Sequence, residues 1–209
     1  MPSLLNPLYS PLIRVLPAAE HSFEVDAAFW QPKFDECGQG VLWQTIFSNQ
    51  PAIRITRHRL LTFIYPTQEQ KCAEMLLWGY PSNQRGRVSE LLPRLTQLAA
   101  AGGEQLNWKD YFAEFIPIPC IGISTVTKFA HFNGLTFDGY PALILDKQIM
   151  AKIQRWTEVQ MPGLRYDNAP QQYVAYLRTM HEAALQIGCS EAQLELFLFT
   201  FGSTMGIDL

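Results

Sequence analysis

The chain has 209 residues, of which 48% are hydrophobic, 12% aromatic and only 17% charged. That composition is globular and excludes intrinsic disorder, and the length suffices for one domain, or two tightly packed halves, around a sizeable core. A formal net charge of −3 excludes a bulk polycation that coats nucleic acid, while leaving room for a local basic face.

No apolar run is long enough to span a membrane. The opening Met1-Pro-Ser-Leu-Leu-Asn-Pro-Leu lacks a basic start and a long apolar stretch, which points to a cytoplasmic protein. Cys37, Cys72, Cys120 and Cys189 lie far apart, and His21, His58, His131 and His181 show no ligand spacing. No metal site is written here; reduced, buried thiols are the simplest reading.

Pro2, Pro7, Pro11 and Pro17 predict an extended arm over residues 1–22. Beyond it the apolar periodicity is helical nearly everywhere. Residues 53–65 carry Ile53, Leu60, Leu61 and Ile64, with Arg54, Arg57 and Arg59 between them. Thr67 and Gln70 form a capping box for a helix that ends near Trp78-Gly79-Tyr80-Pro81. A polar loop with Arg85 and Arg87 follows. Val88, Leu91, Leu92, Leu95 and Leu98 then trace one helix face, closed by Gly102 and Gly103.

Asn107 caps a short helix holding Trp108, Tyr111 and Phe115. The best strand-like run is 142–145. Tyr173, Leu177, Met180, Ala184 and Ile187 mark a helix stopped by Gly188. Ser190 and Gln193 cap the last one, lined by Leu194, Phe197, Leu198 and Phe201. The sum is an all-α or mostly-α globule of eight to ten helices, a single domain over residues 1–209.

The most informative stretch is Ile118-Pro-Cys-Ile-Gly-Ile-Ser-Thr-Val-Thr-Lys-Phe, with Pro141-Ala-Leu-Ile-Leu-Asp146 beyond it. The first part is a tight apolar turn opening a helix. Gly122 permits close backbone approach. The amides of Ile123, Ser124 and Thr125 would face outward at the helix N-terminus, where a phosphate oxygen can bind. Lys128 follows one turn after Ser124. Asp146 ends an apolar run and precedes a helix carrying Ile149, Ile153 and Trp156, so it reads as an N-cap.

These residues resemble the helix-hairpin-helix of base-excision DNA glycosylases over 116–156, where a Leu-Pro-Gly-Ile-Gly-type turn precedes a helix and a catalytic aspartate. With Arg57, the 77–81 segment, Arg85 and the Leu194-Glu195-Leu196-Phe197 run, the chain is similar over about 50–201 to a bacterial 8-oxoguanine-glycosylase-like branch. The resemblance implies two helical lobes with a central cleft. It implies Asp146 as the catalytic carboxylate, with Lys128 assisting. Gly122, Ile123, Ser124, Thr125, Arg57 and Arg85 would contact DNA, and Trp78 and Tyr80 would wall a flipped base.

Ser124 stands where bifunctional members carry their lysine nucleophile, which points to a monofunctional enzyme. Cys120 replaces the first hairpin glycine. The expected partner is DNA or a modified nucleobase, with no membrane and no metal or organic cofactor. The alternative is an inactive adaptor that binds a nucleobase, DNA or a partner protein, as in an accessory role in a bacterial defence operon.

Overall fold

The computed structural model describes residues 1–82, 88–101 and 107–201. Helix α1 (Ser10–Arg14) starts with Pro11 in its first turn, where a missing N–H costs nothing. The N-terminal segment is therefore not the extended arm expected. It coils, buries Leu4 and Ile13 completely, and ties down through Ser3 Oγ and the Leu4 amide, which both donate to Glu158.

Strand β1 (Ser22–Asp26) pairs antiparallel with β2 (Ala52–Thr56), Ser22 facing Thr56 and Asp26 facing Ala52. Helices α2 (Ala27–Glu36) and α3 (Gly40–Phe47) connect them. Helical periodicity had been expected across 53–65. The alternation of Ile53 and Ile55 instead makes the first four residues strand, and Thr56 caps α4 (Arg57–Thr62) by accepting from the Arg59 amide.

Thr67 caps α5 (Gln68–Gly79) through the Gln70 amide. The face traced by residues 88–98 is two helices rather than one. Pro93 interrupts α6 (Val88–Leu91) and α7 (Leu95–Ala100) with a 3₁₀ turn, because it has no N–H to continue the ladder. Asn107 caps α8 (Trp108–Phe115). A seven-residue turn leads to α9 (Ile123–Phe132). A small hairpin, β3 (Thr136–Phe137) with β4 (Tyr140–Pro141), and α10 (Lys147–Ile153) follow. Then come α11 (Ala169–Ile187), closed by Gly188 in the left-handed region, and α12 (Glu191–Phe201), opened by the Ser190–Gln193 box.

Every residue of α9 except Ser124 is buried. A helix apolar on one face would lie on the surface; one covered all round runs through the middle of the core. That position carries Thr127, Lys128 and His131 into the interior. Trp78 packs edge-on against Phe132 of α9, Phe115 packs against Phe129, and Trp30, Trp156, Tyr111, Tyr173, Tyr176 and Phe197 are likewise nearly inaccessible to water in the core.

Candidate active site

The turn before α9 holds Cys120 at φ +65°, the left-handed conformation that favours glycine. The thiol donates to Glu90 Oε2 at 2.6 Å. The backbone thus keeps a glycine-type turn in spite of the cysteine. The amides of Thr125 and Val126 donate to the Gly122 carbonyl at 2.9 and 3.1 Å. Thr125 is therefore spent inside the first helical turn, and only the Ile123 and Ser124 amides are left outward among the described residues. The Tyr166 hydroxyl stands over Gly122 so closely that a Cβ there would come within 2.1 Å of it.

Lys128 points across this corner. Its ammonium donates to Ser124 Oγ at 2.7 Å and lies 5.5 Å from the centre of the Tyr80 ring. Its stem runs over Gly79, where an added Cβ would meet the lysine chain at 3.1 Å. The side chain is only 8% exposed. Burial pulls its pKa below the usual lysine range; the charges of Asp146 and Glu195 pull the other way. The Tyr80 hydroxyl shares a 2.7 Å hydrogen bond with Thr125 Oγ1.

The second wall is residues 142–146. The run 142–145 is extended, as its composition suggests, but among the described residues no strand pairs with it. Side chains take the place of a sheet. Residue Ala142 accepts from His131 Nδ1 at 2.8 Å. The Leu143 amide and carbonyl both bond the Tyr173 hydroxyl. The Ile144 amide donates to Glu195 Oε2 at 2.7 Å, and its carbonyl accepts from Tyr176. The Leu145 amide donates to Thr127 Oγ1. Buried backbone groups without partners are costly, so this set of bonds fixes the segment in one place. It delivers Asp146, whose Oδ1 accepts from the Ile149 amide at 2.8 Å and caps α10.

Between the walls lies a cavity of about 460 Å³, within the roughly 300–1,000 Å³ typical of small-molecule sites. Asp146, Lys128, Ser124, Tyr80 and Tyr166 line it, together with His21, Phe23, Trp78, Phe199, Arg57 and Glu195. His21 packs edge-on against Phe23 and Trp78, with ring centres 5.1 and 5.4 Å away. Burial, with the Arg57 charge beside it, lowers the His21 pKa to about 4.

Arg57 is only 3% exposed. Its Nη2 pairs with Glu195 Oε1 at 2.5 Å, and its guanidinium sits 5.4 Å from the Trp78 ring. Glu195 is fully buried and bonds the pinned segment through its other oxygen.

This cavity is walled by aromatic rings and lined by the carboxylates of Asp146 and Glu195, the second paired with Arg57, and by one buried amine, that of Lys128. Residues 17–199 match the family model described as "Putative 8-oxoguanine DNA glycosylase OGG-like protein". The chain belongs to this family. No curated protein and no solved structure matches it. Membership in the OGG-like family supports a glycosylase-like function and DNA binding. Among the described residues no helix is long and apolar enough to cross a membrane, and no group of three or more His, Cys, Asp or Glu is placed to hold a metal ion.

The structure brings together Asp146, Lys128, Ser124, Trp78, Tyr80 and Arg57 at this one cavity. Gly122, Ile123 and Thr125 stand at its rim or behind it. Arg57 departs from expectation. A phosphate contact needs an exposed cation, but the guanidinium is inside the protein, held by a buried carboxylate. Arg85 lies outside the described residues.

Sequence reasoning missed His21, Phe23, Tyr166 and Phe199. It quoted Glu195 only as part of a run. The signal was there: a lone glutamate in Leu194-Glu195-Leu196-Phe197 is a charge inside an apolar stretch, and such residues are seldom buried without a partner.

Proposed function

We propose that this OGG-like protein is a DNA glycosylase that excises an oxidised purine of the 8-oxoguanine kind, with water as the nucleophile. The observation that supports this reading is the cavity itself. It is large enough for one extruded nucleoside, aromatic on its walls, and bordered by a carboxylate on a rigid mount.

In the proposed reaction the C1′–N bond breaks and its electron pair leaves with the base, which takes up a proton. The sugar acquires positive charge at C1′. Asp146 stabilises that charge and receives the proton of the water that adds to C1′. Because Asp146 is held by its cap and the pinned segment, it need not reorganise as charge develops. Lys128, as a cation bonded to Ser124, balances the carboxylate and faces the departing group.

The test is base release from a duplex containing 8-oxoguanine. Asp146→Asn should keep the cap, since asparagine caps as well as aspartate, and should lower base release at least a hundredfold. Duplex binding without any release by the unaltered protein would contradict the enzymatic reading and favour the adaptor.

A second reading draws on the burial of Lys128. Desolvation moves the amine toward the neutral form that attack on C1′ requires, giving a Schiff base after ring opening. Borohydride trapping separates the two. The monofunctional reading expects no adduct. An adduct abolished by Lys128→Met would replace it with the lysine mechanism.

A further inference from the structure

Helix α9 is buried along its whole length except at Ser124, which is half-buried and opens on the cavity. Ser124 Oγ accepts from the Lys128 ammonium at 2.7 Å. A serine hydroxyl has one proton to donate besides the lone pairs with which it accepts. Among the described residues nothing accepts that proton, so the hydroxyl is free to turn it toward the cavity. Lys128 has less freedom. Its stem lies over Gly79, and the Ser124 carbonyl also holds its ammonium, at 3.4 Å. Lysine and serine thus form two proton carriers in series, leading from the buried helix to the cavity.

We propose that Ser124 and Lys128 together protonate the departing base: the Ser124 hydroxyl gives its proton to an acceptor of the base beside the breaking bond, and Lys128 Nζ replaces it. The inference rests on the glycosylase reading and adds to it the group that activates the leaving base. The electron pair of the C1′–N bond ends on the base, Oγ remains a hydroxyl, and Lys128 is left neutral. Asp146 holds the proton of the water that added to C1′, and the cycle closes when that proton returns to Lys128. A base that departs as an anion leaves poorly, and a positioned acid is worth about 100- to 10,000-fold.

The charges around the amine suit a donor. Asp146 at the head of α10 and Glu195 on α12 favour the ammonium, while burial and Arg57 on α4 oppose it. The balance lies below the usual lysine value, so Lys128 gives up a proton more readily than an exposed lysine does. Tyr80 faces it with a ring, and its own pKa is raised by burial. His21, on the same cavity, is neutral near pH 7 and above.

The test is single-turnover release from an 8-oxoguanine duplex at saturating protein. Ser124→Ala should lower release by about thirtyfold or more, and Ser124→Thr, which keeps a hydroxyl, should recover it to within about threefold of the unaltered rate. The second arm follows pH. The rate of the unaltered protein divided by that of Lys128→Met should fall about tenfold or more between roughly pH 7 and 9.5, because the acid is lost as the amine deprotonates. Dividing by the variant cancels ionisation of the lesion itself. A ratio that rises with pH overturns the inference in favour of lysine as nucleophile, and a flat ratio overturns it in favour of a structural lysine. Ser124→Ala at the unaltered rate, or Ser124→Thr no faster than Ser124→Ala, overturns it as well. If Lys128→Met does not fold, the two serine variants decide. In all these outcomes the unaltered protein still releases the base and the glycosylase reading stands. No release by the unaltered protein refutes that reading and this inference with it.

Discussion

Two arginine–glutamate pairs start from positions two residues apart at the head of α4, and they are built for different work. Arg59 reaches Glu74 with two nitrogens, at 2.7 and 2.9 Å. Glu74 also accepts from the Tyr65 hydroxyl and, at 3.4 Å, from Gln70. Both Glu74 oxygens are bonded, and the arginine is 37% exposed, so water can reach the rest of its guanidinium. Arg57 makes one bond to Glu195, is sealed from water, and keeps two nitrogens unpaired. A saturated pair locks α4 to α5. The pair of Arg57 with Glu195 instead ties α4 to α12 and, through the other Glu195 oxygen, to the Ile144 amide beside the cavity. Both glutamates are fully buried; the pairs differ in the exposure of the arginine and in how many hydrogen bonds it makes.

The comparison is broken most directly at Glu74. Glu74→Ala removes the acceptor for three side chains and should cost about 3 kcal/mol, the low end for a broken buried pair because Arg59 can turn to water. In a domain of this size that lowers Tm by about 6–12 °C. Base release from the 8-oxoguanine duplex at a temperature where the variant is folded should not change. A melting curve and the release assay check both halves; altered release would mean that the two pairs are not separate devices.

A smaller effect is expected with pH, on the Arg57 side. The folded protein holds His21 at a pKa of about 4, below the ordinary value of 6.5. The unfolded chain therefore binds a proton first as pH falls. The stability that goes with a neutral His21 is fully present above about pH 6.5 and is lost between there and pH 4. Buried His131, lowered for the same reason, adds to the slope. Thermal melts at pH 7.5 and 4.5 should show a decline that His21→Gln makes shallower. An equal decline in the variant would place the acid sensitivity elsewhere.

The smallest effect belongs to the turn. Cys120→Gly removes a side chain from a left-handed backbone and should stabilise by up to about 1 kcal/mol, a gain of a few degrees in Tm. A loss instead would show that the thiol bond to Glu90 outweighs the backbone strain.

The capping residues made much of the helical skeleton readable from the sequence. Thr67, Asn107, Asp146 and Ser190 each cap as their spacing implies, and Gly188 ends α11 in the conformation its identity predicts. Local chemistry decides such features, so local sequence reveals them. The strands β1 and β2 were hidden because each is only five residues long and residues 27–51, which carry α2 and α3, lie between them. The extended run 142–145 was seen, but its partners were not. Tyr173, Tyr176, Thr127, His131 and Glu195 come from three helices, and no spacing encodes that convergence. For the same reason Arg57 read as a surface cation. A sequence shows the charge of a residue, but its burial depends on what α12 brings against it.

The central claim is that a rigidly mounted carboxylate at position 146 carries the chemistry of this cavity. The decisive measurement is single-turnover base release from an 8-oxoguanine duplex by the unaltered protein and by Asp146→Asn, with melting curves of both. Release that falls at least a hundredfold while Tm stays within about 2 °C is the predicted result. Equal release by the two proteins, or none by either, would contradict it.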